Sequence, residues 1–235
     1  MKVIKLLSLS ILLLAASAIA KAQTADEIVA KMIDAIGGAD AWKKVNSIRM
    51  SGTLQAQGAE VSVIATVLNG KGARQDISFQ GMDGYTLITP TEGWSFLPFQ
   101  GQTAPEALSA EDLKQSQDQL DAQGAFIDFK AKGHTIEYLG KEDVEGKDSY
   151  KLKLTLKSGK EQTMFVDPAT YYVIRTVTKQ QINGQDMEQQ TDMSNYEKLP
   201  EGVVVAKSII LPFGELVINK VEINGNVDES IFKKN

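Results

Sequence analysis

"KLKLTLKSGK", residues 151–160, decides the fold class. Leu152, Leu154 and Leu156 alternate with Lys151, Lys153, Thr155 and Lys157, and a period of two puts one set on each face of an extended strand. That strand has one dry and one wet face, and Ser158-Gly159 supplies the glycine-bearing pair that reverses it. The alternation recurs in "EVSVIATVL" (60–68), with Val61, Val63, Ala65 and Val67 on one side, and in "EQTMFVDP" (161–168). Asn69-Gly70, Asp83-Gly84, Asn183-Gly184 and Asn224-Gly225 mark further turns, and about ten strands joined mostly by hairpins are predicted. In "GELVINKVEING" (214–225) the alternation slips between Ile218 and Val221, which predicts a bulge. "DPATYYVIRTV" (167–177) belongs to the same pattern. Asp167-Pro168 starts a turn, and Tyr172, Ile174, Thr176 and Thr178 then alternate with Tyr171, Val173, Arg175 and Val177, so the segment is wall of the scaffold.

Two segments depart from this period. Thr24-Ala25-Asp26-Glu27 has the form of a capping box, and Ile28, Val29, Met32, Ile33 and Ile36 follow at helical spacing until Gly37-Gly38. A short helical turn through Trp42 and Val45 is expected next. The second helix is predicted over "SAEDLKQSQDQLDAQ" (109–123), capped by Ser109 and free of glycine and proline. Its apolar face is thin, essentially Leu113 and Leu120, and such a helix lies on a surface or acts as a lid.

Composition bounds the function. Lys2 and Lys5 precede an apolar run from Leu6 to Ile19, followed by Ala20-Lys21-Ala22; residues 1–22 read as a cleaved secretory signal, too short in its apolar part to span a membrane. A single domain over 23–235 follows, in the periplasm or secreted. The chain carries 25 basic and 30 acidic side chains, and removing a segment with three lysines makes the balance more acidic, which argues against nucleic-acid binding. With no cysteine there is neither a disulfide nor a thiol for lipid attachment. His134 is the only histidine, so no His/Cys metal cluster is expected, and no cofactor is expected either. No serine lies in a G-x-S-x-G context, and Gly70-Lys71-Gly72 lacks the third glycine of a dinucleotide fingerprint. Glu142-Asp143 and Asp228-Glu229 are adjacent pairs in expected turns, where side chains diverge into solvent. The sequence therefore points away from an enzyme.

One stretch concentrates aromatic and apolar residues. "FQGMDGYTLITPTEGWSFLPFQG" (79–101) holds Met82, Tyr85, Leu87, Trp94, Phe96 and Phe99. It reads either as a buried hairpin or as the lining of a hydrophobic pocket beside the lid helix.

"YLGKEDVEGKDSYKLKLTLKSG" (138–159), "FVDPATYYVIR" (165–175), "NYEKLPEGVVVAKSI" (195–209) and "VEINGNVDESIF" (221–232) resemble, in order, the second half of the LolA-like lipoprotein-carrier superfamily. "EIVAKMIDAIGGADAWKKVNSIRMSGTL" (27–54) is similar to the opening of exported outer-membrane lipoprotein-sorting proteins, and the resemblance spans roughly 25–232. It implies a mainly β, α+β fold: a curved, incomplete antiparallel β-barrel wrapped over helices, with a cavity for acyl chains. It also implies an arginine that helps hold a lid closed. Arg74, in "GKGARQDI" (70–77), occupies a broadly similar context, with Arg49 the alternative. The implied function is a periplasmic carrier of lipoprotein or lipid acyl chains that works between membrane donor and acceptor proteins, as a monomer. The alternative is an envelope sensor or adaptor that binds a protein segment on the same concave sheet.

Overall fold

The computed structural model describes residues 24–56, 58–182 and 185–234. The expected secretory segment and the Asn183-Gly184 turn lie outside the described residues. Thr24 caps α1 (Ala25–Ala35) with a complete capping box: its hydroxyl accepts from Glu27 N–H, and the Glu27 carboxylate accepts from Thr24 N–H. Ile28, Val29 and Met32 form the buried face of this helix, each side chain contributing about 1.5–3 kcal/mol on burial. Gly37 and Gly38, both at positive φ, turn the chain into the short α2 (Ala39–Trp42).

The rest is one antiparallel sheet built as two meanders. The first runs β1 (Ser47–Ala56), β2 (Ala59–Leu68), β3 (Gly72–Phe79), β4 (Met82–Ile88), β5 (Gly93–Phe96) and β6 (Glu106–Ala107). The second runs β7 (Thr135–Val144), β8 (Lys147–Thr155), β9 (Glu161–Val166), β10 (Val173–Ile182), β11 (Gln185–Lys198), β12 (Val204–Leu211) and β13 (Gly214–Ile223). The 13 strands lie in the order β6-β5-β4-β3-β2-β1-β13-β12-β11-β10-β9-β8-β7. Pairing of β1 with β13 joins the meanders, while β6 and β7 remain as separate edges, so the barrel is not closed. The surplus over the expected ten comes partly from short pieces such as β5 and the two-residue β6, too brief for periodicity to register.

A crossover from residue 108 to 134 carries the chain from one edge to the other along the concave side. It contains α3 (Ala110–Ser116) and a 3₁₀ turn at Gln117–Leu120. Ser109 caps α3 through Asp112 N–H. The α-helix is shorter than predicted because it tightens to 3₁₀ geometry at Gln117, whose amide bonds the Leu113 and Thr89 carbonyls. Its apolar residues fill one end of the barrel. Ala122 and Ile127 pack with Trp42, Val45, Ile48, Val203 and Ile223, and Leu120 packs with Ala73 and Ile88. The face of α1 meets Leu152, Leu154, Met164 and Val166 in the adjoining core.

Register confirms the predicted bulge: Ser51 pairs with Lys220 and Gly52 with Ile218, which leaves Asn219 unpaired. Two expected turns lie elsewhere. Asp83-Gly84 sits inside β4, and the β3–β4 turn is Gln80-Gly81, both at positive φ; Gly84 is needed instead for close approach, since a Cβ there would meet Phe96 O at 2.7 Å and Phe99 at 2.9 Å. Asn224-Gly225 ends β13 without a hairpin, and the Asn224 amide oxygen accepts from Asn46 and Ser47 N–H. The alternation after Asp167-Pro168 is also broken. Tyr171 lies in a left-handed turn, and a bulge between Val173 and Arg175 brings Val173 and Thr176 into register with Val166 and Met164.

Candidate functional site

Strand parity assigns each side chain to a face. Ile48, Met50, Gly52, Leu54 and Ala56 of β1 pair with Val67, Ala65, Val63, Val61 and Ala59 of β2, and Val67, Ala65 and Val63 pair with Ala73, Gln75 and Ile77 of β3. Ala73 packs against Leu120 of the crossover, so this set is the concave one. Along it burial falls from Ile48, in the filled end, to half-buried Leu54, Val61, Ile77 and Phe79 at the other.

That second end is open. A cavity of about 640 Å³ is lined there by Leu54, Val61, Ile77, Phe99, Phe213 and Leu216, among others. A second cavity of about 440 Å³ continues over the other meander, between Met32 of α1 and Ile36 at its C-terminal cap, Phe126 of the crossover, and Met164, Met193 and Ile209 of the sheet. Ile209 of the second is the cross-strand partner of Leu216 of the first, so the two are lobes of one trough. Neither lobe is lined by a charged side chain. The few polar groups are neutral and partly engaged: the Tyr196 hydroxyl donates to the Val173 carbonyl, its ring stacks on Tyr172 at 4.1 Å, and burial holds its phenol well above the ordinary range.

The aromatic stretch does not form one surface. Phe99 returns over the concave side in a 3₁₀ turn at Pro98–Gln100, meets Phe79 edge to face at 6.0 Å and lines the trough. Met82, partner of Phe79, lies 39 % exposed at the same end. Tyr85, Leu87, Trp94 and Phe96 have the opposite parity, pairing as Tyr85–Phe96 and Leu87–Trp94 on the convex side. The C-terminal 3₁₀ turn Glu229–Phe232 forms a strap on that side, against β3. Arg74 shares that face and so cannot hold α3 on the other: its guanidinium stacks on Tyr85 at 4.3 Å, donates to Asp76 and donates to the Ile231 carbonyl at 2.8 Å. Phe232 is buried over Gly72, and Lys234 lies 4.3 Å above the Trp94 ring. Arg49 pairs with Thr66 and Glu222 in the same parity. Leu113 and Leu120 do sit together, packed against Ala73 and Ile88 over the filled end of the barrel.

The fold is shared with known structures. A LolA superfamily protein from Nitrosomonas europaea superposes with a TM-score of 0.55 at 17% identity, over 91% of this chain and 99% of the other. The chain has a LolA-like fold. A domain named for outer membrane lipoprotein sorting from Vibrio parahaemolyticus gives 0.51 at 16% identity, over 88% and 94%. A DUF1329 family protein from Desulfovibrio piger gives 0.55 at 13%, over 90% and 98%. No family model and no curated protein matches the sequence. In this LolA-like sheet the residues that shape the trough, such as Leu54, Val61, Met193, Ile209 and Leu216, come from ordinary alternating strands. Their periodicity marks a dry face, while only the course of the crossover shows which part of that face stays open. Among the described residues no helix is long and apolar enough to cross a membrane, and no group of three or more His, Asp or Glu could hold a metal ion.

Proposed function

We propose that the protein is a carrier of the periplasm, or a secreted one, that holds the acyl chains of lipids or lipoproteins in the concave trough and passes them between membranes. The carrying observation is a two-lobed apolar trough, open at one end, with no charged side chain in its lining. Each methylene moved from water into such a trough contributes about 0.8 kcal/mol, whereas a charged headgroup would find no partner there and stays at the mouth. The lining offers no nucleophile with an adjacent base, which supports binding without catalysis. Release then requires an acceptor with a better pocket, and donor and acceptor proteins are the expected partners of a monomer. The open lobes favour this reading over an adaptor for a protein segment, which would be served by a filled interior.

Native mass spectrometry of protein purified without detergent, with extraction of any bound molecule, tests the proposal. A stoichiometric acyl adduct is expected, lost in Leu216→Glu on the concave face and retained in Trp94→Ser on the convex face. A clean mass with no uptake of added fatty acid, phospholipid or lipopeptide overturns it.

A further inference from the structure

The concave wall of the second lobe is interrupted by a small neutral polar group. Thr176 of β10 lies between Met164 of β9 and Thr191 of β11, and Gln162 lies one row away, opposite Thr178. Gln162, Thr176 and Thr191 line the lobe. Apolar residues bound the group on both sides: Leu152 and Leu154 pair with Met164 and Gln162, and Met193 pairs with Ile209. A dry strand face gains nothing from a hydroxyl, since valine has almost the same shape, the same preference for strands and no polar group to take out of water.

The fold makes no use of these hydroxyls. Thr176 is 9% exposed, and among the described residues neither its hydroxyl nor that of Thr191 has a hydrogen-bond partner. The two oxygens are not sealed off either. Among the described residues Asp118 Oδ1 is the buried side-chain atom that lacks both a partner and accessible surface, so the threonine oxygens keep some surface, and the space they border is the lobe. Gln162 is engaged, its amide donating to the Thr178 hydroxyl at 3.3 Å. Gln75 and Gln100 of the first lobe differ, because both are exposed and solvent meets their amides.

Two adjacent hydroxyl donors in an apolar trough call for an acceptor without charge. A carboxylate would need a cation, and none lines the lobe. Lys31 on α1 is exposed and already donates to the Tyr171 hydroxyl at 3.0 Å. An ester or amide carbonyl has two lone pairs to accept both hydroxyls and far less hydration to lose. We propose that Thr176 and Thr191 form a subsite for the uncharged carbonyl of an ester- or amide-linked acyl chain, with the chain itself on Met193 and Ile209 towards the first lobe. This assignment rests on the carrier reading and narrows it: a free fatty acid, whose charged end stays at the mouth, does not use the subsite.

Displacement of a fluorescent naphthylamine dye from the purified protein measures the affinities of methyl dodecanoate, N-methyldodecanamide, dodecanoate and tridecene. The double variant Thr176→Val/Thr191→Val is expected to bind the ester and the amide at least about tenfold more weakly than the wild type, while tridecene and dodecanoate keep their affinities. Thr176→Ser, which keeps the hydroxyl, retains the ester. Valine preserves strand preference and side-chain shape, and unchanged tridecene binding reports an intact trough. Full affinity for the ester in the double variant, or a loss for dodecanoate or tridecene as large as for the ester, overturns the subsite and leaves the carrier reading in place. No displacement of the dye by any of the four in the wild type overturns both.

Discussion

Replacing Gly72 with alanine tests whether the convex face is covered as described. A Cβ at Gly72 would lie 2.4 Å from Phe232 Cγ and 2.6 and 2.8 Å from its two Cδ atoms. These atoms form the stem of the ring, so no flexible end can give way, and the strap itself must lift by roughly 1 Å to regain ordinary contact. Overpacking of this kind costs about 1–3 kcal/mol. Truncating Phe232, 4% exposed, should cost about 3 kcal/mol, the low end for a buried phenylalanine, because the strap is otherwise held by few bonds, such as Arg74 to Ile231 and Lys71 to Glu229. The two changes compete for one volume and cannot add. Once Phe232 is alanine, the methyl at position 72 meets open space and restricts a strand glycine, which is worth about 0.5–1 kcal/mol of added stability. Gly72→Ala therefore changes sign between backgrounds, with a coupling of about 1.5–4 kcal/mol. Urea unfolding of the wild type, both single variants and the double variant measures it. An equal cost of Gly72→Ala with and without Phe232 would refute the packing of the strap on β3.

Three further outcomes follow from the same geometry. Gly37→Ala should destabilise by about 3 kcal/mol or more, measured by thermal or urea unfolding, because Gly37 has φ +109° and its Cβ would lie 2.2 Å from the Gly202 carbonyl oxygen at the α1–α2 corner. Burial, reinforced by Lys132, lowers the His134 pKa below its ordinary value. The folded state thus prefers the neutral ring, stability rises with pH from the lowered folded value up to about 6.5, and His134→Asn should flatten that slope in unfolding measurements between about pH 5 and 7. The Arg175 guanidinium, bonded to Asp192 at 2.5 and 2.9 Å, lowers the Asp192 pKa. Its stabilisation is complete above about pH 3.9 and is lost as pH falls through the depressed value, so Asp192→Asn should lose less stability on acidification than the wild type does.

Periodicity made the walls legible and the interior only partly so. Leu152, Leu154 and Leu156 announce a half-buried strand because alternation is local, and the Thr24 capping box announces α1 because all its bonds lie within three residues. The slip at Asn219 is likewise written in its own strand. Density of aromatic residues proved a poorer guide. Phe99 and Trp94 are five positions apart, yet they serve opposite faces: parity carries Trp94 outward, and the turn at Pro98 returns Phe99 inward. Gly84 misleads in the same way, since glycine permits both a turn and a close approach, and only the tertiary neighbour Phe99 decides between them. What covers the convex face is supplied by Phe232, far along the chain from the Gly72 beneath it, and no local pattern encodes that meeting.

The difference between the two ends of the barrel follows from topology more than from composition. Two meanders joined at β1 and β13 leave their free edges far apart in strand order, and the chain between them crosses the concave side. A crossover carrying Leu120, Ala122 and Ile127 fills the end it passes through, while Asp118, Asp121 and their lysines, which cannot enter that core, collect around its margin. The same dry face, left uncovered beyond the crossover, becomes the apolar trough over Leu54, Ile77 and Leu216. One connection thus separates a charged margin from an uncharged trough within a single sheet.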